Sequence, residues 1–136
     1  MRRVLLFAVL LGFAALPAAA QDPVKADPKH YKVEFENAQV RVLRFHYGPH
    51  EKSVMHSHPN LVLVALTDGK IRFELPGGKT EEREIKANQP AWNEATVHNP
   101  ENLSDKPIEG ILVEIKAKAK SKANANAKAA PAPKKQ

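Results

Sequence analysis

Met55-His56-Ser57-His58-Pro59-Asn60 runs straight into Leu61-Val62-Leu63-Val64-Ala65-Leu66, and Thr67-Asp68-Gly69 closes the stretch. Six apolar residues bounded by Pro and Gly have the length of a buried strand and are too few for a core helix. Asp-Gly accommodates positive φ, which predicts a hairpin into Ile71-Arg72-Phe73-Glu74-Leu75, where apolar and polar residues alternate. Pro76-Gly77-Gly78-Lys79 makes the next turn, into Thr80 to Ile85, a polar strand suited to an exposed edge. Upstream, Tyr31, Val33 and Phe35 share one face of an alternating segment that pairs with the region of Val40, Val42 and Phe45 as a first hairpin. Downstream come Ala91-Trp92-Asn93 and Ile108 to Ile115, with Ile111, Val113 and Ile115 on one face. No stretch has sustained helical periodicity. About eight short strands with regular turn signals predict an all-β sandwich or barrel over residues 30–116.

The chain has 136 residues, room for one such domain and not for a second. Its formal charge of +6 suggests nucleic acid until it is apportioned. Two basic residues lie in 1–20 and six in 117–136, which leaves thirteen basic against fifteen acidic residues in 21–116. The basic residues of the domain are interleaved with acids, so no nucleic-acid footprint is expected. Cysteine is absent, which excludes disulfides, thiolate zinc sites and cysteine nucleophiles, so that any metal must be held by nitrogen and oxygen.

Arg2-Arg3, the apolar run Val4 to Leu16, Pro17 and Ala18-Ala19-Ala20 have the order of a signal peptide over 1–20, with cleavage after Ala20. An uncleaved anchor is the weaker alternative, because the run is short for a span. Export to the periplasm or medium is therefore expected, with no stable membrane anchor after processing. Residues 21–29 read as a linker. Residues 117–136 alternate Ala, Lys and Asn without leucine, isoleucine, valine or aromatics, and predict a disordered tail, solvated or weakly drawn to anionic polymers.

All six histidines lie between the two ends. In an extended segment His56 and His58 face the same side and can converge on one ion. His98 lies forty residues on, a distance that holds two strands and two turns, enough to return the chain to the same interior.

Gly48-Pro49-His50, His56-x-His58, Asp68-Gly69 and His98-x-x-x-Asn102 together resemble the two motifs of the cupin superfamily, over most of residues 31–115. The resemblance implies a small double-sheet β-barrel of the jelly-roll kind with a metal in its mouth, held by His56, His58 and His98. The sequence departs from the pattern where a glutamate usually follows the second histidine; Val62 and Leu63 stand there. Asn88 stands near an expected glycine, where its tolerance of the left-handed region would serve. The metal is not readable: iron, copper, zinc, manganese and nickel all suit imidazole. A fourth ligand could be Glu94, Glu114, His50 or water, although Glu114 points outward if the odd positions of the last strand face the core. His46 and His50 are candidate supports for the ligands or plain structural histidines. Trp92 is a pocket wall or, more simply, a core aromatic; Arg44 and Arg72 line the solvent face or turn inward to a substrate carboxylate. Asn102 is expected to serve the backbone.

Three readings follow. Resemblance to three-histidine cupins implies a metal-dependent, dioxygenase-type enzyme acting on a small oxygen-bearing molecule. A missing glutamate and no recognisable general base suit a non-catalytic module that binds a metal or small ligand. A barrel with vestigial histidines is the third. Pairing of two copies through an exposed edge strand is a further expectation.

Overall fold

The computed structural model describes residues 21–117; the expected signal peptide over 1–20 and, but for Ala117, the expected tail lie outside the described residues. Nine strands follow a single helical turn: α1 (Pro23–Ala26), β1 (Tyr31–Glu36), β2 (Val40–Tyr47), β3 (His56–His58), β4 (Leu61–Ala65), β5 (Gly69–Glu74), β6 (Thr80–Ile85), β7 (Pro90–Asn93), β8 (Thr96–Asn102) and β9 (Ile108–Ile115). They form a five-stranded sheet, β1-β2-β9-β4-β7, facing a four-stranded sheet, β3-β8-β5-β6. Every pairing between these strands is antiparallel. The core between the sheets is built from Leu43, Phe45, Tyr47, Leu61, Ile71, Ile108 and Leu112.

The hairpins expected at β1–β2 and β5–β6 are present, and β6 is a sheet edge. Asp68-Gly69 is not a hairpin turn. β4 and β5 belong to different sheets, so these residues turn the corner between layers, with the Asp68 carboxylate accepting from the Ala87 N–H at 2.7 Å. Gly69 is required by contact: a Cβ there would lie 2.3 Å from Ile108 Cγ2.

One facial assignment is reversed, and one strand is exposed along most of its length. In β9 the inward residues are Ile108, Gly110, Leu112 and Glu114, not the odd-numbered Ile111, Val113 and Ile115. Both faces carry aliphatics, so alternation alone does not set the phase. The inward face gives up bulk at Gly110, where a Cβ would meet the Phe45 ring at 2.5 Å. In β1 only Tyr31 is buried; the register shifts between Val33 and Phe35, and these two lie exposed on the sheet edge.

The expected linker is also ordered. Asp22 caps α1 by accepting from Val24 N–H at 3.0 Å, the Gln21 carbonyl accepts from Ser57 N–H at 2.9 Å beside β3, and Asp27 is buried. Left-handed backbone occurs at Asn88 (φ 62°), as expected, and at His50 (φ 57°).

Candidate metal centre

β3 and β8 pair with His56 opposite His98, so that alternation along two neighbouring strands turns three imidazoles to one side of the small sheet. His56 and His58 are buried and His98 is partly buried. One ring nitrogen from each lies within 4.8 Å of the other two, and the rings meet edge to face at 4.8–5.3 Å between centroids.

The tautomers follow from the partners. His56 Nδ1–H donates to the Val54 carbonyl at 2.7 Å, and His58 Nδ1–H donates to Glu114 at 2.6 Å. In neutral rings with these tautomers both Nε2 atoms are acceptors, and they stand 3.0 Å apart. Lone pairs so close repel unless a proton or cation satisfies both. Nitrogens each about 2.1 Å from one ion and roughly at right angles lie about 3 Å apart, so the donor set fits a metal. Burial pushes the His56 imidazolium down to about 4 and that of His98 to about 3, with the neighbouring imidazoles adding to both shifts. The two rings are neutral at pH 7, as ligation requires.

The ligands and most of the side chains that support them come from opposite layers. All three histidines belong to the four-stranded sheet; Glu114 on β9, Arg41 and Tyr47 on β2, and Tyr31 on β1 belong to the other. Glu114 is fully buried, between His58 and Arg41, whose Nε donates to it at 2.7 Å. Arg41 pairs in turn with Asp22 at the start of α1. Burial raises the Glu114 pKa, but hydrogen bonds from His58 and Arg41 outweigh it and hold the carboxyl below its usual range. The expectation of an outward Glu114 is therefore wrong: it carries the orienting carboxylate, which the phase error in β9 had hidden. It is not one of the three convergent donors. On the other side the Tyr31 hydroxyl lies 3.1 Å from His56 Nε2 and accepts from Tyr47 at 2.7 Å. Burial drives the Tyr31 phenol well above its ordinary pKa. A buried polar cluster continues below: Ser53 donates to Asp27, and Asp27 accepts from His30 Nδ1–H.

The remaining candidates stand apart. His50 is exposed on a left-handed turn and bonded to Asp105, and His46 is exposed on β2, so neither serves the triad. Glu94 accepts from Trp92 Nε1–H at 2.7 Å at the mouth of a cavity of about 340 Å³. Trp92 is 55% exposed and lines that mouth; it is a wall and not a core aromatic. Arg44 and Arg72 hold solvent-face ion pairs with Glu34 and Glu109, and with Glu82 and Glu101. Asn102 is fully buried and serves the backbone as expected, donating to Gly48 and Lys106 carbonyls and accepting from Ser104 N–H. His58 and His98 form part of the cavity floor, its walls are largely apolar (Phe45, Leu61, Leu63, Ile71, Phe73, Leu112), and Arg83 sits over Phe73 at 5.4 Å. Leu63, standing where the usual motif has its glutamate, is among these wall residues.

Among solved structures, a cupin domain from Bordetella pertussis Tohama I is similar at 27% identity and a TM-score of 0.59, over 64% of this chain and 92% of that one. The chain has the cupin fold. A double-stranded β-helix protein from Klebsiella pneumoniae subsp. pneumoniae MGH 78578 is similar at 20% identity and a TM-score of 0.51, over 62% of this chain and 74% of that one. No family model matches the sequence, and no curated protein does. The three-histidine cluster can hold a metal ion.

Proposed function

We propose that this chain is an exported, metal-dependent cupin in which His56, His58 and His98 bind one divalent ion and a small oxygen-bearing molecule is turned over by dioxygenase-type chemistry. The observation that carries it is the facing pair of Nε2 atoms at 3.0 Å, with a third imidazole beside them at the floor of an apolar cavity. Three neutral donors leave a divalent ion its full charge and open positions, which favours anionic or chelating oxygen. When bound, iron or copper would supply redox chemistry there, and zinc, manganese or nickel Lewis acidity. Glu114 holds the ring of His58 with Nε2 toward that point, and the apolar walls keep water from the bound molecule, strengthening its electrostatic contacts. Export is supported by the leader-like residues 1–20, and pairing of two copies by the exposed edge strand β1.

One observation favours a non-catalytic module that holds a metal or small ligand. The two carboxylates at the cavity are engaged: Glu81 with Lys79 and Arg83, Glu94 with Trp92. Metal content by mass spectrometry, on the processed chain without a histidine tag and on a His56→Ala/His98→Ala variant, tests the site. About one ion per chain, lost in the variant, is the expected result. Oxygen consumption by the iron- or copper-loaded chain with a diketone or a thiol supports the enzyme; bound metal without turnover supports the module. No metal after reconstitution with iron, copper, zinc, manganese and nickel overturns both.

A further inference from the structure

We propose that Tyr31 is a further ligand-contacting residue, whose phenol donates a hydrogen bond to the anionic oxygen of the molecule bound beside the histidines, with Tyr47 as the positioning residue that aims it. The inference rests on the metal reading above.

The Tyr31 hydroxyl is buried, lines the cavity and stands 3.1 Å from His56 Nε2. Its oxygen accepts from Tyr47, so its own proton is left to point into the site. Tyr47 is itself fixed, stacked on His30 at 4.5 Å between centroids and set edge-on to Tyr31 at 6.0 Å. An imidazole nitrogen has one lone pair in the ring plane, and an ion takes it. The Tyr31 proton then needs another acceptor. A hydroxyl about 3 Å from a nitrogen that is itself about 2.1 Å from an ion stands within reach of an atom in a neighbouring coordination position. A group that is apolar at that atom would leave the buried donor unsatisfied, so the contact selects for an oxyanion head. The wall of Leu63, Ile71, Phe73 and Leu112 accommodates an apolar body behind that head.

The test uses the processed chain loaded with cobalt(II) and titrated with acetate, read by the visible spectrum of the ion. In Tyr31→Phe the acetate Kd is expected to rise about tenfold or more, as loss of a hydrogen bond to a charged group implies. Cobalt affinity should stay within about threefold, since the ring is kept and no donor of the triad is removed. Tyr47→Phe should weaken acetate by a few-fold and add nothing on top of Tyr31→Phe, a non-additivity that a merely structural role would not produce. The chain has two tyrosines, so 3-fluorotyrosine labelling of the zinc-loaded wild type gives one 19F resonance from each, and acetate should move that of Tyr31. Acetate affinity within about twofold of wild type in cobalt-loaded Tyr31→Phe, or a still resonance while acetate binds, overturns the inference. Loss of cobalt in Tyr31→Phe also overturns it, making Tyr31 a ligand or a prop for His56. A wild-type chain that by mass spectrometry holds neither cobalt nor any of iron, copper, zinc, manganese and nickel fails at the earlier step and removes the metal reading with it.

Discussion

Removing the Glu114 carboxylate strips the buried Nδ1–H of His58 and the partly buried guanidinium of Arg41 of the acceptor they share. Glu114→Ala is expected to weaken metal binding by about 10- to 100-fold, and to cost on the order of 1–3 kcal/mol in urea unfolding because the buried Nδ1–H of His58 loses its acceptor, while Arg41 keeps Asp22. Glu114→Gln, which keeps an acceptor oxygen, should lose less of both. His50 gives the contrasting case, a motif histidine that touches nothing in the site. His50→Gly relieves left-handed strain at φ 57° while loosening the unfolded chain, so stability should change little and the ion content not at all. The metal-free chain should be acid-sensitive in a definite window. His56 and His98 have folded pKa values of about 4 and about 3 against 6.5 for the free side chain. Below 6.5 the unfolded chain binds more protons than the folded one, so stability falls as the pH drops from 6.5 toward 4. Melting temperature measured on metal-free wild type and on His98→Ala checks this, the variant showing the shallower slope.

Strands with one apolar and one polar face were legible from residue types; β5 lies where alternation put it, and β6 where the preceding turn and its polar run put it. β9 was legible as a strand over Ile108–Ile115 but its phase was not, because Ile111, Val113 and Ile115 outweigh an inward face that holds a glycine and a glutamate. That pair could have been read in reverse. Glu114, two positions from Leu112 and four from Gly110, belongs inward when a histidine site needs a carboxylate and a ring needs room. Gly110→Ala tests the second half: a Cβ 2.5 Å from the Phe45 ring and 2.9 Å from the Val64 carbonyl should destabilise the chain by about 1–3 kcal/mol. The triad was legible as spacing because strand alternation is enough to place His56 and His58 together. Tyr31, Arg41 and Asp27 were missed as parts of the site, since their roles depend on contacts across the barrel that no local pattern encodes.

At the scale of the whole molecule, residues 21–30 act as a clasp. Asp22 reaches His58 through Arg41 and Glu114, Asp27 sits under Ser53 near Tyr47, and Gln21 bridges to β3. A chain trimmed to begin at residue 30 is therefore expected to bind metal at least several-fold more weakly and to melt lower, while one ending at residue 117 matches the full-length chain in both; calorimetry of the two settles it. The division of ligands and supports between the two sheets has a wider consequence. Each sheet alone is an incomplete site, one with donors of which His58 lacks its orienting carboxylate, the other with that carboxylate and no donors. The distance between the layers is thus written into the coordination geometry, and an ion seated there would act as a strain gauge for the barrel. Loosened packing far from the histidines would register as a change in metal off-rate before it registered as unfolding.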